Sequence, residues 1–199
     1  MIEFRDGFYA DVRTEDRSRT VISYQAGILE EMKSQVERRA FLRVYDGKMW
    51  YYASVTDLNH LQKTLDGLYA AAAPNDQILD DPTVRRFERN RDTLLSFADS
   101  SVRDIPSKDK QALLLSYLPL LSEDSCITMP RGTYLDRNSL FRFRSSLGAD
   151  ITYDYQTCGL SFACDMTEGE KKFSGHWQKG ATRFDQLKGL DDEIRAAMA

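Results

Sequence analysis

The chain has 199 residues, a formal net charge of -4, 42% hydrophobic and 29% charged residues, an ordinary soluble composition that can build a core without disulfides. That charge argues against a general nucleic-acid binder, whose affinity rests on Lys and Arg neutralising phosphates. No stretch reaches the roughly 18 to 20 apolar residues that span a bilayer. The opening Met1-Ile2-Glu3-Phe4-Arg5-Asp6-Gly7 shows no basic region followed by an apolar run, and three cysteines, Cys126, Cys158 and Cys164, form no even disulfide framework, so a reducing cytoplasm is expected.

Phe8 to Thr14 alternates, with Phe8, Ala10 and Val12 on one side and Tyr9, Asp11 and Arg13 on the other, the period of a half-buried strand. Glu15-Asp16-Arg17-Ser18 reads as a turn. A second strand is expected over Thr20 to Gln25, then a turn at Gln25-Ala26-Gly27, where Gly27 tolerates positive φ. Ile28 to Val36 has helix-forming composition, but strands at hairpin distance on both sides make it a strand. Phe41 to Tyr45 and Met49 to Ser54 flank Asp46-Gly47, a pair suited to a two-residue type I′ hairpin. Thr56 is the expected N-cap of a helix with Leu58, Leu61, Leu65, Leu68 and Ala72 in one stripe, ended by Pro74-Asn75.

Residues 75–106 form an irregular connector whose charged run, Arg85 to Asp92, reads as a solvated segment because acidic residues interrupt the basic ones. Ser107 is the expected cap of a second helix burying Leu113, Leu114, Tyr117, Leu118 and Leu121, with Pro119 distorting its last turn. Alternation returns over 127–129, 133–135, 140–145, 151–156, 160–166 and 172–178, broken at Pro130-Arg131-Gly132, Ser146-Leu147-Gly148 and Glu168-Gly169. The expected fold is α+β: antiparallel β meanders packed against helices in two layers, with a possible internal structural duplication. Leu187 to Met198 begins an amphipathic helix that stops at Ala199 without a capping Gly or Asn, which leads us to expect that the natural chain continues.

Candidate chemistry is sparse. His60 lies in the first helix and reads as a surface histidine; His176 lies on a late strand. A site of His176 with Cys158 and Cys164 is one alternative, and buried cysteines acting as small hydrophobes are the other. Neither a GxSxG elbow nor a phosphate-binding glycine loop occurs. The aromatic run Trp50-Tyr51-Tyr52 is a stacking surface or, more commonly, core and interface.

Tyr9-Ala10-Asp11-Val12-Arg13, the Gly27 turn followed by Glu30-Glu31, Arg43-Val44-Tyr45-Asp46-Gly47 and Trp50 to Leu58, in that order and spacing, together resemble the N-terminal domain of the TldD/PmbA family, proteins long labelled modulators of DNA gyrase. Ser145-Ser146-Leu147-Gly148 resembles the family's Ser-Ser-x-Gly turn, and Gly175 to Gly180 with Arg183-Phe184 its glycine-spaced segment. The chain departs from the pattern at Arg39-Ala40-Phe41-Leu42, where glycines are common, at Tyr51, and at Leu147.

The resemblance implies one N-terminal domain over 1–199, with a meander and helix over 1–74, a connector over 75–106 and a helix, second meander and terminal helix over 107–199. It also leads us to expect a C-terminal catalytic-type domain that this segment does not include. In the TldD branch, zinc is held there by an HExxxH helix; the PmbA branch lacks that motif and supplies partner subunits. For this segment the resemblance implies no catalytic residue and no cofactor, with zinc confined to a longer parent. The implied partners are extended or unfolded peptide and a homo- or heterodimeric family subunit, with neither nucleic acid nor membrane. Trp50, Tyr51, Tyr52, His176 and Trp177 are the candidate peptide or interface residues, and Gly27, Asp46, Gly47 and Gly148 the structural turns. The alternatives are a nucleic-acid or gyrase-associated module and a free-standing enzyme using His176 and the cysteines.

Overall fold

Two long strands dominate the first quarter of the chain where several short ones are expected. In the computed structural model, which describes residues 2–123 and 125–198, β1 runs over Tyr9–Gln25 and β2 over Ile28–Tyr45, followed by β3, Trp50–Val55. No turn forms at 15–18, because the charges there are matched across strands. Glu15 takes hydrogen bonds from Arg17, Arg39 and Ser139, and Asp16 one from Arg38. The two-residue turn falls at Ala26 and Gly27, with φ of 47° and 77°, both left-handed as a type I′ turn requires. Asp46-Gly47 instead opens a four-residue loop between Tyr45 and Trp50, which pair. There the Asp46 carboxylate accepts from the backbone N–H groups of Lys48 and Met49, and Gly47 takes φ 95°.

The second half repeats the lengthening. β5 covers Arg131–Ser145, β6 Asp150–Glu168 and β7 Lys171–Ala181. The expected break at Pro130-Arg131-Gly132 belongs to β5 from Arg131 on, since Gly132 serves close packing: a Cβ there would lie 2.5 Å from Leu118 Cδ2. The turns at 146–148 and at Gly169 form as expected, with φ of 89° at Gly148 and 61° at Gly169. The connector supplies β4, Arg91–Leu94, which pairs with Asp150 to Tyr153 in parallel, the exception in an otherwise antiparallel sheet of order β3-β2-β1-β5-β6-β4, with β7 also on β6.

The chain divides into two compact units, Met1–Arg17, Glu37–Ser96 and Ser139–Asp154 forming the first and Ser18–Val36, Phe97–Asn138 and Tyr155–Ala199 the second. Strands β1, β2, β5 and β6 contribute residues to both.

In unit 1 the helix α1, Leu61–Ala71, lays Leu65 and Tyr69 on Phe8, Ala10, Val12, Leu42 and Val44. Asp57, not Thr56, is the cap. Its carboxylate accepts from Asn59 N–H at the start of a 3-10 turn, Leu58–His60, that leads into α1. Alternation along the strands sends Tyr9, Tyr45 and Trp50 to the other face, where Ile78, Val84 and Phe87 of the connector cover them. Arg85, Arg86, Glu88 and Arg89 are exposed, as expected of a solvated run anchored by Phe87.

In unit 2 the helix α2, Ser107–Tyr117, begins after Pro106, so Ser107 is its first residue and not its cap. Pro119 falls in a 3-10 continuation, Leu118–Ser122, because it has no N–H for the α-helical ladder. The core joins Ile22, Tyr134, Leu160 and Phe162 of the sheet to Leu114 and Leu121, and to Ile194 of α3, Asp191–Met198. Leu187 and Leu190 are also buried there, Leu187 in a separate 3-10 turn, Phe184–Leu187. Tyr117 Oη holds that corner by donating to Leu187 C=O at 2.8 Å and accepting from Leu190 N–H. The uncapped end at Ala199 lies outside the described residues.

Candidate functional site

On the face of unit 1 opposite α1, period-two alternation aligns acids, arginines and aromatic rings. Residues Phe41, Arg43 and Tyr45 of β2 stand directly across from Ser54, Tyr52 and Trp50 of β3. Beside them, Asp11 of β1 is 2% exposed and holds Arg43 in a forked pair, with Nη2 to Oδ2 at 2.6 Å and Nε to both oxygens at 3.1 Å. The same guanidinium lies 4.8 Å from the centroid of Trp50, so one cation answers a carboxylate and an aromatic face.

Two pleats further along β1, Glu15 is buried beneath three donors: Arg39 Nε at 2.7 Å, Arg17 Nε at 2.8 Å and Ser139 Oγ at 2.9 Å. Burial by itself raises its pKa, but these hydrogen bonds outweigh burial and hold it at about 2. A cleft of ≈ 640 Å³ opens beside this cluster, lined by Arg13, Glu15, Arg39, Phe41, Ser54, Asp57 and Phe141 among others. At its rim Asp57 Oδ2 meets His60 Nδ1 at 2.6 Å, a hydrogen bond that lowers the Asp57 pKa.

Unit 2 treats charge differently. Lys110 and Asp136 are 2% and 1% exposed and meet at 2.6 Å. Asp136 also accepts from Tyr134 Oη and Thr20 N–H, and Lys110 donates to Thr20 Oγ1. Burial, followed by the charge of Asp136, pushes the Tyr134 phenol upward. Every member of this network has partners, so it serves as a buried anchor for α2.

The residues singled out from sequence fall in both units. Trp50 is half-buried, stacked on Tyr45 at 4.7 Å; Tyr52 shares its face, is 68% exposed and lies 6.1 Å from Phe41. Tyr51 points to the α1 side and donates to Asp46 Oδ2. In unit 2, Trp177 packs on Phe162 at 5.7 Å, whereas its neighbour His176 is exposed on the opposite face with Nε2 3.3 Å from Ser161 Oγ.

Zinc is the group that the resemblance implies for a longer parent, and His176, Cys158 and Cys164 do not fit it here. His176 stands across from Ala163, so it shares a face with odd-numbered β6 residues, while Cys158 and Cys164 join the buried cluster on the other face. Burial, then the charge of Asp136, pushes the Cys158 thiol up to about 11. Among the described residues no group of three His, Cys, Asp or Glu side chains is arranged to hold a metal ion, and no helix is long and apolar enough to cross a membrane.

Asp11, Arg13, Glu15, Arg39, Arg43 and Phe141 are absent from the sequence-based candidates. For all but Phe141 the signal is present in two period-two series, Asp11-x-Arg13-x-Glu15-x-Arg17 and Arg39-x-Phe41-x-Arg43, which place charge and aromatic groups on one face.

Residues 10–72 match the family model described as PmbA/TldA metallopeptidase domain 1. No curated protein matches the chain by sequence. Among solved structures, a candidate modulator of a DNA gyrase from Thermotoga maritima superposes with TM-score 0.75 at 16% identity, over 96% of this chain and 43% of its own. A candidate modulator of DNA gyrase from Bacteroides thetaiotaomicron gives 0.71 at 17% identity, over 96% and 45%. TldE from Thermococcus kodakarensis gives 0.69 at 8% identity, over 96% and 44%. The chain therefore spans less than half the length of these relatives, and at such identities the likeness is one of fold.

Proposed function

We propose, from the premise that this chain is a first domain of the PmbA/TldD family, a role without chemistry of its own: it admits extended peptide and takes part in subunit assembly for a metallopeptidase-type protein or its partner subunit. The observation that carries this reading is an open strand edge. In unit 2, β2 from Ile28 to Val36 has no outer neighbour among the described residues, because β3 pairs with residues 40–45 alone. Ile28, Met32 and Val36 are 66%, 44% and 58% exposed along it. Such an edge presents unpaired backbone N–H and C=O groups to another extended chain. Glu30, Glu31 and Lys33 interrupt the apolar positions, which keeps the edge from aggregating indiscriminately.

The experiment is fluorescence polarisation of the purified chain with fluorescein-labelled, reduced and carboxymethylated casein, with gel analysis of the casein and elemental analysis of the protein. Binding without cleavage and without stoichiometric zinc is expected, and Met32→Lys weakens binding. Peptide cleavage, or one tightly held zinc per chain, overturns the non-catalytic role; absence of binding overturns the peptide-admitting one.

A further inference from the structure

We propose that the cleft on the open face of unit 1 binds an extended peptide segment through an acidic side chain next to an apolar one, with Arg13 as the cation that selects it. This rests on the peptide-admitting role above and gives that role a substrate preference.

Shape comes first. The cleft draws its lining from four neighbouring strands: Ser54 of β3, Arg39 and Phe41 of β2, Arg13 and Glu15 of β1, and Phe141 of β5. Three strand spacings amount to about 14 Å, the length of roughly four extended residues. A chain lying across the strands would therefore pass over all of these groups.

Charge comes next. Arg17 and Arg39 share the single carboxylate of Glu15. Arg13 is exposed, and no carboxylate lies in ion-pair range of it among the described residues; its guanidinium rests 5.8 Å from the centroid of Phe143. Of the two cations in the lining, Arg39 is therefore committed to Glu15, which is enclosed by donors, and Arg13 is the one left over. Asp57 at the rim is already engaged by His60. An entering carboxylate meets Arg13 without displacing an existing partner, and a planar guanidinium suits a forked carboxylate contact. Phe41, 38% exposed, and Phe141 provide apolar contact on either side.

A single-stranded nucleic acid fits this face less well. Phe141 is stacked on Tyr153 at 4.9 Å, so one of its ring faces is taken, and base stacking needs open faces. Glu15 and Asp57 in the lining oppose a repeating phosphate chain.

The test is fluorescence polarisation with short fluorescein-labelled Gly/Ser peptides carrying Leu-Asp-Leu, Leu-Asn-Leu or Leu-Lys-Leu, at low and raised salt, alongside labelled oligo-dT. The Asp peptide is expected to bind about fivefold tighter than the Asn peptide, with the preference shrinking as salt screens the charges. Arg13→Ala removes the preference and Arg13→Lys keeps part of it, both with unchanged melting temperature because the side chain is exposed. Equal affinity for the Asp and Asn peptides overturns the selectivity and leaves peptide admission standing. No binding of any peptide overturns both. A preference that survives Arg13→Ala overturns the assignment of Arg13, and tighter binding of oligo-dT than of any peptide overturns the proposal in favour of nucleic acid.

Discussion

In unit 2 the ammonium of Lys110 meets Asp136 beneath α2 with both side chains at most 3% exposed, while in unit 1 Glu15 binds Arg17 and Arg39, whose side chains are 21% and 48% exposed. Both clusters place an acid on the sheet among donors that include a neighbouring strand's. The sealed one gains from low dielectric and must be complete, because a missing member leaves a buried charge. The open one keeps guanidinium edges in solvent, where a new acceptor can join without desolvating a whole ion pair. Similar residues thus make a sealed anchor in one unit and a solvent-facing cluster in the other, and coverage by a helix is what separates them.

That contrast can be broken most severely from the sealed side. Lys110→Met leaves Asp136 charged and short of its cation, and a loss of about 3–5 kcal/mol is expected in urea unfolding. Adding Asp136→Leu should recover part of it, since an apolar pair carries no uncompensated charge; a double variant no better than Lys110→Met would show that Thr20 and Tyr134, not the ion pair, hold α2.

The open cluster responds to pH. The folded pKa of Glu15, about 2, lies below its unfolded value near 4.5, so its stabilisation is fully present above pH ~4.5 and is lost as pH falls towards about 2. With partly exposed arginines screening the pair, about 1–3 kcal/mol is expected. Urea midpoints of the natural chain should fall through that window, whereas Glu15→Gln should start lower at neutral pH and show a flatter acid limb. Equal acid limbs would place the titrating group elsewhere. The smallest effect belongs to Tyr52→Ala: a side chain 68% exposed on β3 should change stability by no more than about 0.5 kcal/mol, and a larger loss in thermal melting would mean that Tyr52 is core and not surface.

The alternation of Phe8 to Thr14 shows where β1 begins, but its continuation through Glu15-Asp16-Arg17-Ser18 depends on Arg39 and on Ser139, 24 and 124 positions away from Glu15. No local pattern contains those partners. Gly132 poses the same difficulty: from sequence a glycine after Pro130 reads as a turn, and only the nearness of Leu118 shows that it makes room within a strand. The short parallel strand β4 was hidden because a charged run such as Arg91-Asp92-Thr93-Leu94 carries no strand period of its own and is ordered by Asp150 to Tyr153. At the candidate site the aromatic run Trp50-Tyr51-Tyr52 was conspicuous by composition, yet its members divide between both faces of the sheet. The spaced charges of β1 and β2, each ordinary by itself, are what the fold gathers into the cleft.

Sequence alone determined the α+β class, the Gly27 and Gly148 turns, the apolar faces of α1 and α2, and the resemblance that the match over residues 10–72 bears out. All of these are written in contacts a few residues apart or in motif order. Tertiary structure alone decided that the strands run long through charged segments, that His176 and the cysteines part company, and which buried acid has a sealed partner and which has partners that reach solvent. Those outcomes depend on partners remote in the chain and on what covers each face of the sheet, and a period of two assigns residues to faces without saying which face meets water.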